Sequence, residues 1–400
     1  MIKKLLSSVF LTYIAYSSVL FAQCDGQRFT DIVFPEVQVT QDVNYGSSTT
    51  MSGDTKILHF DFYEPKNDVA AQRPLIILAH GGSFIGGNEN SGDIVTLAQE
   101  LAKRGYVVAS INYRLIDQIV LPNQTIMMDA VVKAVQDMKA AIRFFRQDAA
   151  TTNTYRINPD MIIAGGASAG AVTAIHTAYL DTEEGVPSNV ITIINDNGGI
   201  EGNSGNAGYS SSVNAVINLC GAIGDTNWIQ AGEEPIVSAH GTNDGTLPYG
   251  AGNAVVMGFT IMPVFGSQSI DARCQELGIP TELLTFQGGD HMVHATTANY
   301  PTTIATIVDF IAPIVCSEAT AVHHTTPTIY SITPNPAQDM VRFDLSNTTQ
   351  FSITIADQTG KIWQTNYNEN VLSLGSLPRG IYFAQIKTDV GTSIQKIVLQ

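Results

Sequence analysis

Continuous apolar runs and helix-period patterns alternate along most of the chain. Two β-rich segments come first, at 29–45 and 55–63, and read as antiparallel opening strands. Pro74-Leu75-Ile76-Ile77-Leu78-Ala79 is apolar throughout, the pattern of a strand buried on both faces. A helix is expected from Ile94 to Lys103, stopped by Gly105, and a strand from Tyr106 to Ile111. Over 124–147, Val131, Val135, Met138, Ile142 and Phe145 recur on one helical face. Met161 to Ala164 is a short strand, and Ala171 to Tyr179 a helix. Asn195 to Ser212, rich in Asn, Gly and Ser, reads as a surface loop. Further strands are expected at 213–219, 236–239 and 282–286, with helices at about 253–277 and 300–312. Strands alternating with helices predict a mostly parallel sheet covered on both faces, an α/β domain over 23–316.

The ends of the chain follow other patterns. Residues 1–22 have Lys3 and Lys4, then an apolar run to Phe21 and a small residue at Ala22, as in a secretory leader. Residues 317–328 lack periodicity and read as a linker; the pair His323-His324 there reads as solvated. From 329 to 400 short β segments separated by turns predict a small all-β sandwich, with strands at 341–345, 351–355, 361–364, 380–386 and 393–399.

Charge narrows the partners. The formal net charge is -16, and removing Lys3 and Lys4 with the leader gives -16 - 2 = -18. So acidic a chain is poorly suited to nucleic acid or anionic membranes. The leader lacks the length and purity of a permanent membrane anchor. Four cysteines, Cys24, Cys220, Cys274 and Cys316, are expected to pair in an oxidising compartment. Cys24–Cys316 and Cys220–Cys274 are the favoured pairs. No C-x-x-C occurs, so no metal is assigned, and no cofactor either.

The candidate chemistry begins at Gly166-Ala167-Ser168-Ala169-Gly170, a G-x-S-x-G stretch between an apolar strand and a helix. A serine hydroxyl is a weak nucleophile and needs a base, an acid behind that base, and donors for a developing oxyanion. In such sheets these groups lie just after strands. His291 follows the strand ending at Phe286 and is the expected base; His294 is a weaker choice. Asp244 follows the strand ending at Ala239 and is the expected acid, with Asp225 as its rival. Oxyanion donors are expected from Ala169 and from Gly81 and Gly82 in His80-Gly81-Gly82-Ser83. His80 is read as bracing that loop, and His176 and His240 as structural. Phe84 and Trp228 are candidates for an acyl pocket, although core packing is the commoner role of aromatics.

These four pieces, in the order His80-Gly81-Gly82, Ser168, Asp244 and His291, resemble the α/β-hydrolase superfamily in its H-G-G carboxylesterase branch, which includes feruloyl and acetyl xylan esterases. The resemblance implies an eight-stranded sheet and ester hydrolysis through an acyl-serine, for instance on plant polysaccharide side groups. Ser83 stands where fuller versions of the motif have a third glycine. A prolyl-oligopeptidase-like peptidase and a noncatalytic protein retaining the fold are the alternatives. Ile332-Thr333-Pro334-Asn335-Pro336-Ala337, Asp357-Gln358-Thr359-Gly360-Lys361 and Leu377-Pro378-Arg379-Gly380-Ile381-Tyr382 are similar to the type IX secretion sorting domain. That resemblance implies partnership with the type IX machinery and a secreted or cell-surface destination.

Overall fold

The computed structural model describes residues 24, 26–318, 329–345, 351–357, 361–388 and 391–400. The chain divides into two compact units, Met1–Ala319 and Thr320–Gln400. The expected leader, and 319–328 of the expected linker, lie outside the described residues.

In the first unit the elements run β1 (Val37–Thr49), β2 (Thr55–Pro65), β3 (Arg73–Ala79), α1 (Gly92–Ala102), β4 (Val107–Ile111), α2 (Gln124–Ala150), β5 (Ile157–Ala167), α3 (Ala169–Tyr179) and α4 (Ser188–Asp196). They continue as β6 (Ala215–Leu219), β7 (Ala222–Ile223), β8 (Ile236–Gly241), β9 (Ala251–Val256), β10 (Phe259–Gly266), α5 (Ser267–Leu277), β11 (Thr281–Phe286) and α6 (Tyr300–Glu318). Eight strands form one sheet in the order β1-β2-β4-β3-β5-β6-β8-β11. β1 and β2 are antiparallel, and every pairing from β4 to β11 is parallel.

The doubly apolar strands explain the layering. Along β3, Leu75 and Ile77 face one core with Met138, Ile142 and Phe145 of α2 and Ile175 of α3. Ile76 and Leu78 face the other, with Leu97 and Leu101 of α1 and Ile307 and Ile311 of α6. The period of two thus feeds both faces at once. α6 is long and apolar enough to cross a membrane by composition. Here Ile304, Ile307 and Ile311 spend that apolar surface in the core.

Several expectations are corrected. Residues 253–266 are not helical. They form the β9–β10 hairpin around Met257-Gly258, both at positive φ (51° and 81°), as a two-residue primed turn requires. The segment 197–212 is the expected surface loop, but it is anchored. It follows the end of α4 and is pinned by Ser204, whose Oγ lies 2.6 Å from Asp137 in a buried pair with Arg114. The first strand begins at Val37 rather than 29, and Ser317 belongs to α6 rather than to a linker.

Cys24 and Cys316 form a disulfide with Cα atoms 5.7 Å apart. Cys220 and Cys274 are not joined. Cys220 follows β6, its sulfur within 4.8 Å of ligand-type atoms of Asp244 and His291. Cys274 sits on α5, where burial and the nearby Asp271 push its thiol up to about 12.

The second unit has two antiparallel sheets. β12 (Ile329–Thr333), β13 (Met340–Leu345) and β16 (Val371–Ser373) form one. β14 (Phe351–Asp357), β15 (Ile362–Tyr367), β17 (Gly380–Thr388) and β18 (Gly391–Leu399) form the other. Val341, Phe343 and Leu372 of the first sheet share a core with Ile353, Ile355, Ala384 and Ile397 of the second.

Candidate active site

The parallel order sets the site. β3, β5, β6, β8 and β11 are successive neighbours, so their carboxyl ends lie along one edge. Gly81 follows β3, Ser168 follows β5, Asp244 lies beyond β8 and His291 beyond β11.

Ser168 occupies the single residue between β5 and α3, with φ 55° and ψ -117°. Such a backbone is costly for a residue with a Cβ and is held only by its surroundings. Its N–H donates to the Leu219 carbonyl at 2.8 Å, and its carbonyl accepts from Val172 N–H at 2.9 Å. Gly170 permits the turn to press on β3, because a Cβ there would overlap the Ala79 carbonyl. Ser168 is 6% exposed, so the hydroxyl is reachable but largely shielded from water.

The loops after β8 and β11 are sewn together. Asn243 N–H donates to the Gly289 carbonyl at 2.9 Å, and Gly288 N–H to Thr242 Oγ1 at 2.8 Å. This brings His291 Nδ1 to 2.6 Å from Asp244 Oδ2, and His291 Nε2 to 2.8 Å from Ser168 Oγ. With Nδ1–H donating to the carboxylate, Nε2 is left to accept the serine proton. Asp244 Oδ1 accepts from the N–H groups of Thr246 (2.8 Å) and Leu247 (3.0 Å). Oδ2 accepts a second imidazole, His240 Nε2, at 3.0 Å. Burial works to raise this carboxyl, but the hydrogen bonds from His240 and His291 outweigh it and hold the group well below the usual carboxylate range.

The structure separates the rivals. Asp225 caps the short turn Thr226–Trp228, its Oδ1 2.9 Å from Asn227 N–H. His294 is buried in the turn Val293–Ala295; burial, then the neighbouring His291 and His240, lowers it to about 4. His80 stacks on Tyr113 at 4.3 Å, Nδ1 contacts the Gly81 carbonyl at 2.6 Å, and its own carbonyl accepts Tyr113 O–H at 2.8 Å.

On the other side of Ser168, a Cβ placed on Gly81 would stand 3.4 Å from Ser168 Cβ. Gly82 has φ +120°, and its carbonyl closes a turn by accepting from Ile85 and Gly86. Ala169 opens α3, where the first-turn N–H groups have no helical partner. Ala169 and the glycine loop therefore flank the hydroxyl, the placement an oxyanion site needs.

A pocket of about 110 Å³ opens beside Ser168. Phe84, Val172 and Trp228 line it together with Met127 of α2 and Ile261 and Met262 of the hairpin. Among the described residues its wall carries no Asp, Glu, Lys or Arg. His176, also on the wall, is lowered to about 4 by burial and so is neutral. Sequence reasoning missed the hairpin wall, although Met257-Gly258 and Pro263 both argued against a helix there. It also left His240 with no part in the site.

Comparison with known proteins places these features in a family setting. Residues 60–225 match the BD-FAE family, and residues 331–400 match the secretion system C-terminal sorting domain. A search of curated proteins finds no match. Among solved structures, the fold is similar to Thermogutta terrifontis esterase 2 phosphoramylated by tabun, with 20% identity, a TM-score of 0.51, and coverage of 70% of this chain and 96% of that one. The propionate-bound form of that esterase gives 22% identity, a TM-score of 0.50, and coverage of 70% and 95%.

Proposed function

We propose that this chain, which carries a BD-FAE domain of the α/β-hydrolase esterase class and a secretion system C-terminal sorting domain, is an exported serine carboxylesterase. The observation that carries the reading is the hydrogen-bonded row Ser168–His291–Asp244. Ser168 Oγ attacks the ester carbonyl while His291 Nε2 takes its proton. Asp244 holds the ring in the correct tautomer and stabilises the imidazolium. The N–H groups of Ala169, Gly81 and Gly82 receive the oxyanion. His291 returns the proton to the leaving alcohol, then activates the water that releases the acid. A fluorophosphonate is expected to label Ser168 in the folded protein, read as a mass shift on the peptide that contains it. A folded, unlabelled Ser168 would remove the proposal.

The pocket supports a finer reading of the substrate. Its wall runs through Ala169, Phe84 and Val172 and does not include His291, beside which the alcohol must depart. The pocket therefore takes the acyl group. Its size is below the roughly 150 Å³ cavity that accepts benzene, and its wall is apolar, so it suits a short aliphatic acyl chain. On the alcohol side Gln287 and Gly288 are exposed, which leaves room for a large alcohol such as a plant polysaccharide. In a p-nitrophenyl ester series, kcat/KM is expected to peak between propionyl and hexanoyl. Met262→Trp, which fills the hairpin wall, should cut hexanoyl turnover about tenfold or more relative to acetyl, since each methylene lost from an apolar pocket is worth about 1–3 kcal/mol. Preference for a succinyl ester, or an unchanged profile in Met262→Trp, would contradict the acyl assignment. The sorting domain marks the chain for export through the type IX machinery, its second partner.

A further inference from the structure

The carboxylate that faces the candidate base carries more than the two backbone donors and one imidazole a minimal triad needs. His240 Nε2 lies 3.0 Å from Asp244 Oδ2, the same oxygen that His291 Nδ1 approaches at 2.6 Å. His240 is fully buried on β8.

The state of the His240 ring can be traced from a fixed point. Gly221 N–H donates to Asn218 Oδ1 at 2.8 Å, which settles the orientation of that amide. Asn218 Nδ2 then donates to Ser238 Oγ at 3.0 Å and Ser267 Oγ at 2.9 Å. His240 Nε2 faces two groups that can only accept, the Asp244 carboxylate and the Leu247 carbonyl, and Ser267 Oγ keeps a hydrogen that it can donate to His240 Nδ1, 2.7 Å away. His240 Nδ1 is thus an acceptor, and the proton sits on Nε2, aimed at Asp244 and, at 3.2 Å, at the Leu247 carbonyl. Asn218, Ser238 and Ser267 are themselves buried, so water does not compete.

We propose that His240, locked as the Nε2–H tautomer by Ser267 and Asn218, is a positioning residue that shares the Asp244 oxygen with His291 and thereby tempers the basicity of His291. This rests on the serine-esterase reading above. A second donor on one carboxylate oxygen withdraws charge from it, so the oxygen attracts the His291 imidazolium less strongly. His240 also fixes the carboxylate in the plane that His291 meets.

Other titratable groups around the network are Tyr249, whose ring meets His240 edge-on at 5.8 Å, the buried His294, the Cys220 thiol, and Asp290, which accepts the His291 N–H at 2.7 Å. None of them is altered by the variants below.

The experiment is the pH profile of kcat/KM on a soluble ester, with the full chain and its variants. In His240→Leu the carboxylate loses a donor and becomes more basic, so the imidazolium of His291 is favoured. The acid limb is expected to move up by about 0.5–1 pH unit, with kcat down about tenfold. His240→Gln keeps an N–H donor and should restore at least half of that shift. Ser267→Ala leaves the imidazole in place but unlocks its tautomer, and should move the limb the same way by a smaller amount; it decides the matter if His240→Leu does not fold. An acid limb within about 0.2 unit of the parent in both His240→Leu and Ser267→Ala overturns the proposal, even if Tm falls, because a merely structural histidine would change stability without moving the profile. Fluorophosphonate labelling of Ser168 separates the two readings. Labelling with an unmoved limb removes the role of His240 alone; no labelling in the parent removes the esterase reading with it.

Discussion

Ser168→Ala is expected to lose about five to six orders of magnitude in kcat on a soluble ester, while KM moves by less than about tenfold. The substitution deletes one oxygen and leaves the Cβ that the elbow already accommodates at φ 55°. The Leu219 and Val172 hydrogen bonds are made by the backbone and survive. His291 loses only its 2.8 Å partner, so folding, followed by near-ultraviolet circular dichroism, should be unchanged. In the proposed mechanism, the residual rate above water is what the oxyanion donors Ala169, Gly81 and Gly82 would contribute without a nucleophile. Retention of parent-like kcat in a preparation shown by mass spectrometry to carry alanine would end the acyl-serine mechanism.

Asp244→Asn should cost about 10⁴ in kcat. Four donors converge on this carboxylate: the N–H groups of Thr246 and Leu247 on one oxygen, and His240 and His291 on the other. Asparagine has one acceptor oxygen, and the two backbone donors cannot rotate away. The amide oxygen therefore stays with Thr246 and Leu247, and the NH₂ turns to the imidazoles. His291 then accepts at Nδ1 and carries its proton on Nε2, against Ser168, where it cannot act as base. Asp225→Asn should change kcat by less than about threefold, because that side chain caps the turn Thr226–Trp228 by accepting from Asn227 N–H. A large loss in Asp225→Asn with none in Asp244→Asn would reassign the acid.

Much of the molecule was legible in the sequence because its signals are local. Pro74–Ala79 is apolar without a break, and only a strand covered on both faces uses such a run. Gly166 to Gly170 announces a tight strand-to-helix turn by composition alone. Strand-end logic then picks out His80-Gly81-Gly82, Asp244 and His291, and the structure brings these to one edge of the sheet. What remained hidden depends on distant pairing. Residues 253–266 are the exception: a local hairpin whose Met257-Gly258 turn and Pro263 stand among enough apolar positions to suit a helix. The separation of Cys220 from Cys274 is a matter of where β6 and α5 lie in space, which four cysteines in a row cannot reveal. His240 is one residue of an apolar strand in sequence; its part appears only once Ser267, 27 residues on, fixes its proton.

The disulfide between Cys24 and Cys316 also decides how the hydrolase unit carries mechanical load. Cys316 lies two residues before the end of α6, and beyond it the chain leads towards the sorting unit. A force applied at residue 318 reaches the Cys316 sulfur within two residues and can cross directly to Cys24. The sheet and its strand-end loops stand outside this covalent path, because both ends of residues 24–316 are clasped at one point. Traction between the two ends of the unit is borne by a bond and not by hydrogen bonds between strands. The spacing of Ser168, His291 and Asp244 thereby lies outside the covalent path of any force applied between the two ends of residues 24–316.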